Sequence, residues 1–293
     1  MDKRNYDAII VPDQGLGDYI EHNGMARYIA DIYMGNIYLL VQDCGKWKSI
    51  AWMFRDEPRI CVLPIGDNGP KQTYHHYLDH IVNSIVWWNK RLPSGLMNLE
   101  PNSLVQEKLT SISRTHVGHI DHYYSKKHNM LAWGQGAYKA AGLPYRVKFD
   151  NFYVERDRDQ EERVYKKLNP NNEKYVFVHD DSNWLKRFEA IDAQLSSRHG
   201  SIKIIKNDAS ENPFHMLKIM EKAEEIHCMW SCLMHLIDCI AASPMESRLD
   251  KIPKFLHWYV RKHKSLSNNG QEYLGSKWNV IYDSRWSTTS EKT

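Results

Sequence analysis

The chain has 293 residues, 42% of them hydrophobic and 26% charged, which is enough for two domains or one large α/β domain, and two is the expectation. Its 39 basic and 36 acidic residues leave a net charge of only +3 with no basic stripe, and the aromatics do not alternate with Arg or Lys, so nucleic acid is not an expected partner. Five cysteines without a C-x-x-C pair suit a reducing compartment. No apolar run reaches membrane-spanning length, and the first residues lead into a strand rather than a signal-peptide core, so no transmembrane segment and a cytoplasmic location are expected.

Residues 6–11 (Tyr-Asp-Ala-Ile-Ile-Val) predict a buried first strand. A Gly-rich loop follows, Pro12-Asp13-Gln14-Gly15-Leu16-Gly17-Asp18, and then a helix over 19–33. Gly15 and Gly17 let the backbone approach a ligand closely, and Asp18 falls in the first helical turn, where the helix dipole favours a carboxylate. Two readings fit Asp18: a carboxylate facing a ligand crevice, or a capping residue closing a tight turn. The third glycine of the dinucleotide fingerprint is absent, and no cofactor is expected. A strand over 36–42, a short helix over 47–54 and a strand over 59–65 continue the alternation of a parallel sheet.

Residues 72–89 carry apolar and aromatic side chains at mixed helical spacing and end in a Pro93-Ser94-Gly95 break. His75, His76, His80, His116, His119, His122 and His128 fall between 71 and 132. No pair has a metal-site spacing with a carboxylate partner, so solvated or partly buried histidines are expected and no metal site is, with a role in holding an acceptor left open. Residues 132–141 read as a helix stopped by Gly142-Leu143-Pro144, 146–154 as an extended segment, 155–168 as a charged helix and 169–172 as a linker-like turn.

The second half is organised around residues 202–242. Residues 174–178 are its strongest strand and run into His179-Asp180-Asp181, either a ligand-facing cluster or the N-cap of the next helix. Lys186 and Arg187 follow, as phosphate-neutralising cations or as ordinary surface charges. A β-branched strand over 201–205 leads through a polar loop containing Glu211 to Asn212-Pro213, which opens a helix at Phe214. Residues 226–229 read as a short apolar strand, and Trp230-Ser231 turns directly into an apolar helix over 232–242. Backbone N–H groups and the Ser231 hydroxyl then point out of a strand's C-terminal end, where open α/β sheets bind phosphate. Cys228, Cys232 and Cys239 are expected as small hydrophobes in or beside that helix. Residues 249–263 read as a further helix anchored by Phe255, Trp258 and Tyr259, and 284–293 as a polar, disordered tail.

These elements resemble the GT-B glycosyltransferases, and more narrowly the family of the lipopolysaccharide heptosyltransferases. In that family the first strand runs into a Gly-Asp pair at the head of the first helix, where Gly17-Asp18 stand here. The family's Asp-Thr-Gly-Leu-x-His-Leu is similar to Trp230-Ser231-Cys232-Leu233-Met234-His235-Leu236, which keeps the hydroxyl and the His-Leu pair and lacks the Asp and the Gly. The resemblance implies two Rossmann-like domains facing each other across a cleft: an acceptor domain over 1–168, a nucleotide-sugar-binding domain over 169–265 and a C-terminal extension over 266–293. It implies Asp18 as the base for the acceptor hydroxyl, with Gly15 and Gly17 in its loop. It also implies a donor site of His179, Asp180, Lys186, Arg187, Glu211, Ser231, Cys232 and His235, with Glu211 as the ribose contact and His235 open between a donor contact and a core histidine.

The expected activity is transfer of a sugar from a nucleotide-diphosphate sugar to a glycan or lipid-linked hydroxyl acceptor, inverting and without a metal. Two alternatives stand beside it: a nucleotide-sugar hydrolase or epimerase on the same fold, and a non-catalytic homologue that binds a sugar nucleotide or a protein.

Overall fold

In the computed structural model the chain divides into two compact units, Met1–Val147 and Lys148–Thr293. The residues described are 8–10, 15–32, 36–42, 47–65, 135, 138, 143–179, 191, 195, 200, 202–258 and 274–282. The histidine-rich expectation over 71–132 and the tail expectation over 284–293 lie outside them.

The first unit is built on a parallel sheet in the order β1 (Ala8–Ile10), β2 (Ile37–Gln42), β3 (Ile60–Ile65), with Ala8 opposite Ile37 and Ile37 opposite Ile60. Helix α1 (Leu16–Ile32) connects β1 to β2, and α2 (Trp47–Met53) connects β2 to β3. Each β-helix-β crossing returns the chain in the same direction, as a parallel sheet requires. The first three turns of α1 are buried on nearly every side, including Asp18, Glu21, His22 and Asn23. Its backbone polarity is met from within: the Tyr138 hydroxyl donates to the Glu21 carbonyl at 2.7 Å and accepts from Met25 N–H at 3.2 Å. Toward the C-terminal half of the helix, Arg27 bonds both carboxylate oxygens of Asp56 at 2.8 Å, and Arg59 reaches the Ala30 carbonyl.

One helical turn, α3 (Val147–Asp150), spans the boundary at Lys148, where the second unit begins and where the sequence suggested an extended stretch; Phe152 N–H closes the turn onto the Phe149 carbonyl. Helix α4 (Arg158–Leu168) is capped by Asp157, whose carboxylate accepts from Gln160 N–H at 3.0 Å. A parallel five-stranded sheet follows in the order β5-β4-β6-β7-β8: β4 (Tyr175–Val178), β5 (Lys203–Lys206), β6 (Glu225–Cys228), β7 (Lys254–His257) and β8 (Asn279–Ile281). All four residues of β4 and of β7 are buried, the mark of strands covered on both faces. Between β5 and β6 a 3₁₀ turn (Pro213–Met216), capped by Asn212, runs into α5 (Leu217–Glu221). Helix α6 (Cys232–Ala242) follows β6 with the expected bounds.

The helix expected over 249–263 is not formed where the structure describes it: Lys254–His257 is β7. The i, i+3, i+4 pattern of Phe255, Trp258 and Tyr259 imitated a helix, but Pro253 has no N–H with which to bond the Leu249 carbonyl and disfavours helical geometry at Ile252. The Leu249 carbonyl instead accepts from the buried Lys254 ammonium at 2.6 Å. The last strand, β8, lies within the segment read as an extension and completes the sheet edge.

Two buried polar clusters hold this unit. Arg156 bonds Glu161 of α4 and Glu221 of α5, and Ser247 donates to Glu221 at 2.7 Å. Burial alone would lower the guanidinium pKa, but the bonds to the two carboxylates outweigh it and raise it. The second cluster centres on Asp238, one turn from the end of α6. Its carboxylate accepts from Gly275 N–H and Ser276 N–H at 2.9 Å, from the Ser276 hydroxyl at 2.8 Å and from Trp278 Nε1 at 3.0 Å. That clasp leads the chain into β8. Gly275 fits only because it has no side chain, since a Cβ there would lie 2.4 Å from the Phe149 ring and 2.7 Å from the Ala242 methyl.

A third buried chain joins β6 to β7: Glu225 Oε2 lies 3.2 Å from His227 Nε2, and His227 Nδ1 lies 2.9 Å from His257 Nε2. A carboxylate accepts only, so His227 donates through Nε2, which leaves its Nδ1 to accept from His257 Nε2–H. Burial, with His227 beside it, pushes the His257 pKa well below its usual value.

Replacing Asp238 by Ala leaves three N–H donors and a hydroxyl without this acceptor, the Trp278 N–H in a buried place, and the expected loss is roughly 1 to 3 kcal/mol. Gly275→Ala is expected to cost roughly 1 to 3 kcal/mol through overpacking. Urea unfolding of the two variants measures both. His257 adds a pH dependence. Its neutral native form is matched by the unfolded chain above a pH of about 6.5, and below that the unfolded chain takes up protons that the native chain refuses. The contribution of His257 to stability is therefore expected to be flat above about pH 6.5 and to fall as the pH drops through the window beneath it. His257→Gln should flatten that fall in urea midpoints measured from pH 8 to 5, and an unchanged slope would contradict the assignment.

Candidate functional site

Within the second unit, β4 is followed by β5 on one side and β6 on the other, so the strand order relative to the chain is 2-1-3-4-5. The strand order reverses between β4 and β6, and open α/β sheets of this order bind ligands beyond the C-terminal ends of those two strands. His179 N–H donates to the His227 carbonyl at 2.8 Å, joining the two strand ends. His179 itself is buried there. The sequence placed it in the donor site, and the structure puts it at the reversal point. Asp180, Lys186 and Arg187 lie outside the described residues.

Ser231 begins the other wall. Its backbone is extended (φ −163°, ψ −179°), and as the N-cap of α6 it makes no side-chain capping bond. Its hydroxyl lies 3.9 Å from the Cys232 sulfur. The first backbone bond of the helix is His235 N–H to the Ser231 carbonyl at 3.1 Å, so the N–H groups of Leu233 and Met234 precede the intrahelical ladder and point out along the axis. An 11-residue apolar helix, about three turns, starting directly at a strand end thus presents N–H groups and its dipole's positive end at the reversal point. Cys232 is half-buried at the first helical position, while Cys228 and Cys239 are buried; burial pushes the Cys228 thiol pKa up.

His235 is buried, with Trp230 edge-on to its ring at a centroid distance of 5.0 Å. Trp230 is also edge-on to Trp258 at 5.0 Å. Sequence reasoning missed both tryptophans as site residues. Trp258 was assigned to a helix; as the residue following a parallel strand it stands at the sheet's C-terminal end, which only the strand assignment reveals.

Glu211 is engaged by cations of α4. Its carboxylate accepts from Arg163 at 3.0 and 2.5 Å and from Lys167 at 2.8 Å, and these two partners, Arg163 first, hold its pKa down to about 2. Lys167 also pairs with Asp208 at 2.8 Å. The cluster ties the loop after β5 to α4.

In the first unit Gly15 and Asp18 form a reciprocal cap. Gly15 N–H donates to Asp18 Oδ2 at 2.7 Å while Asp18 N–H donates to the Gly15 carbonyl at 2.9 Å, the backward arm of a capping box. A Cβ at Gly15 would lie 2.8 Å from that Oδ2, so the glycine makes room for the carboxylate. The Asp18 carbonyl lies 2.7 Å from His22 Nδ1. Gly17 occupies the second position of α1, half-buried. The capping reading of Asp18 is therefore realised, and the carboxylate is buried at the helix start.

Among the described residues no three His, Cys, Asp or Glu side chains are placed to share a metal ion, and no helix is long and apolar enough to cross a membrane.

No protein-family model matches the chain, and no curated protein sequence is similar to it. Among solved structures it is similar to the crystal structure of the glycosyl transferase family 9 from Veillonella parvula DSM 2008, at 9% identity and a TM-score of 0.51 over 96% of this chain and 87% of that one. The E. coli ADP-heptose LPS heptosyltransferase II aligns over 94% of this chain and 90% of its own, at 9% identity and a TM-score of 0.45. The sequence resemblance drawn from Gly17-Asp18 and from Ser231 to Leu236 thus meets an independent likeness in fold: the chain folds as the Veillonella family 9 glycosyl transferase does.

Proposed function

We propose that the chain is a glycosyltransferase that moves a sugar from a nucleotide-diphosphate sugar to a hydroxyl acceptor, inverting the anomeric centre and needing no metal. The observation that carries this reading is the start of α6, uncapped by its own serine, at the point where the strand order of a parallel sheet reverses. The fold shared with a glycosyl transferase supports it.

In this reading the donor's diphosphate lies over the Ser231 hydroxyl and the N–H groups at the head of α6. Those dipoles are fixed before the reaction, so they stabilise the charge that collects on the leaving phosphate without reorganising. His179 and His235 flank the diphosphate, with Lys186 and Arg187 as its further cations. Glu211 keeps one lone pair after its three bonds from Arg163 and Lys167, and with it accepts a nucleoside hydroxyl. Asp18 takes the proton of the acceptor hydroxyl as that oxygen bonds to the anomeric carbon; the bond from the anomeric carbon to the phosphate oxygen breaks, and its electron pair leaves with the nucleoside diphosphate.

A second reading is a homologue that binds the sugar nucleotide without turning it over. Two observations favour it: Asp18 Oδ2 is already occupied by Gly15 N–H, and Trp230 and Cys232 stand where the resembling motif has Asp and Gly.

Ser231→Ala removes one hydrogen bond to a charged group, and nucleoside-diphosphate affinity is expected to fall by roughly 1.5 to 3 kcal/mol, or about 10- to 150-fold. Isothermal titration with ADP, UDP and GDP measures it, and unchanged affinity in a folded variant would remove the diphosphate from this turn. Asp18→Asn retains an acceptor oxygen for Gly15 N–H, so α1 stays capped. Transfer is expected to fall by roughly two to four orders of magnitude while donor binding persists, and EDTA is expected to leave the wild-type rate unchanged. Full transfer by Asp18→Asn would exclude it as the base, and no transfer by the wild type despite tight nucleotide binding would favour the second reading.

A further inference from the structure

The C-terminal ends of β6, β7 and β8 each run into an aromatic residue. Cys228 pairs with Leu256 in the β6–β7 ladder, so two places further Trp230 stands beside Trp258, as their 5.0 Å ring separation shows. His257 pairs with Ile281 in the β7–β8 ladder, and Trp258 N–H continues it onto the Ile281 carbonyl at 2.8 Å, so the next pair is Trp258 and Tyr282. Trp230, Trp258 and Tyr282 thus form one row across three adjacent strands. Trp230 is half-buried, Trp258 is 7% exposed and Tyr282 is 43% exposed, one of the two most exposed large hydrophobic side chains among the described residues. The row starts next to Ser231 and covers two strand spacings, about 10 Å.

We propose that this row is a saccharide-binding platform, on which the pyranose ring next to the diphosphate lies against Trp230 and a further ring or substituent reaches Tyr282. It rests on the donor site proposed above and names its sugar side. Several features select a saccharide. A pyranose ring presents C–H bonds on one face whose partial positive charge is attracted to an aromatic π-face, and its hydroxyls on the rim remain in water. Tryptophan and tyrosine supply such a face at little entropic cost because each has two rotatable side-chain bonds. The two accessible aromatics, Trp230 and Tyr282, stand two strand spacings apart across the buried Trp258 and fit two rings placed side by side, whereas a single nucleobase would use one aromatic and leave Tyr282 idle. Trp230 also stands where the resembling motif carries an aspartate, so the ring beside the diphosphate meets an apolar surface here instead of a hydrogen-bonding carboxylate. The sugar favoured by this chain is accordingly one with an unbroken apolar face, such as a deoxy sugar or a ring with its hydroxyls equatorial.

The test uses the full chain, with Trp230→Leu and Tyr282→Ala as variants whose folding is checked by circular dichroism. Each is titrated with ADP, UDP and GDP, with the matching nucleotide sugars, and with trisaccharides of glucose, galactose and N-acetylglucosamine, read by tryptophan fluorescence and calorimetry. The expected result is that at least one saccharide-bearing ligand binds, and that Trp230→Leu weakens it roughly 3- to 10-fold, the worth of one aromatic contact. Tyr282→Ala is expected to weaken the trisaccharide by a similar factor while leaving affinity for the free nucleoside diphosphate unchanged, and Trp230→Leu is expected to weaken the nucleotide sugar more than the free diphosphate. Equal losses for diphosphate and nucleotide sugar would place the base on the row and overturn the proposal, as would saccharide affinities that ignore both substitutions or the absence of any saccharide binding. Failure of the donor reading is seen separately: trisaccharides bind and respond to the variants, but no nucleotide binds the wild type.

Discussion

The carboxylate of Asp238 is the constraint on which the second unit's architecture turns. A buried charge is tolerated only when its lone pairs are filled, and here four donors from a single short segment fill them. The consequence is geometric as well as energetic. Helix α6 and the chain entering β8 are fixed to each other, and Gly275 lets that chain come within contact of Phe149 and Ala242. With its C-terminal half clasped in this way, α6 presents its N-terminal turn at the strand ends without any capping side chain of its own.

The site chemistry follows from that placement. A parallel sheet sends every strand's C-terminal end to the same edge, and the strand order reverses between β4 and β6, where open α/β sheets have their ligand crevice. Helix N–H groups supply positive potential at that crevice, which suits a phosphate better than any uncharged ligand. The strands on either side contribute different surfaces. The β5 side carries a charged loop held by Glu211, Arg163 and Lys167, and the β7 and β8 side carries an aromatic edge. A ligand with a diphosphate between a polar moiety and a ring-bearing one matches that asymmetry. Beneath the edge, the Glu225–His227–His257 chain fixes both histidine tautomers and ties β6 to β7 in the interior.

The sequence was most informative where one pattern had one physical solution. The run from residue 202 to 242 carried its strands, the helical start after Asn212-Pro213 and the strand-to-helix turn at Ser231, and each is formed. It was least informative where two periods coincide. Phe255, Trp258 and Tyr259 satisfy a helical stripe, yet the decisive residue was Pro253, whose missing N–H breaks the helix before the aromatics begin. Partners distant in sequence were not legible either. Nothing local to Asp238 announces Gly275, Ser276 and Trp278, and nothing local to Glu211 announces Arg163, 48 residues earlier. Asp18 shows a subtler limit, since a cap and a catalytic base call for the same residue at the same helical position, and the cap is what the geometry of the chain displays.

The most direct test of the account is a crystal structure of the full chain grown with the nucleoside diphosphate that binds it most tightly. The account predicts phosphate oxygens at hydrogen-bonding distance, about 3 Å, from the Ser231 hydroxyl and from N–H groups at the head of α6, with nothing bound elsewhere on the second unit's sheet. A diphosphate held at any other place, with Ser231 and the start of α6 left in contact with water, would contradict it.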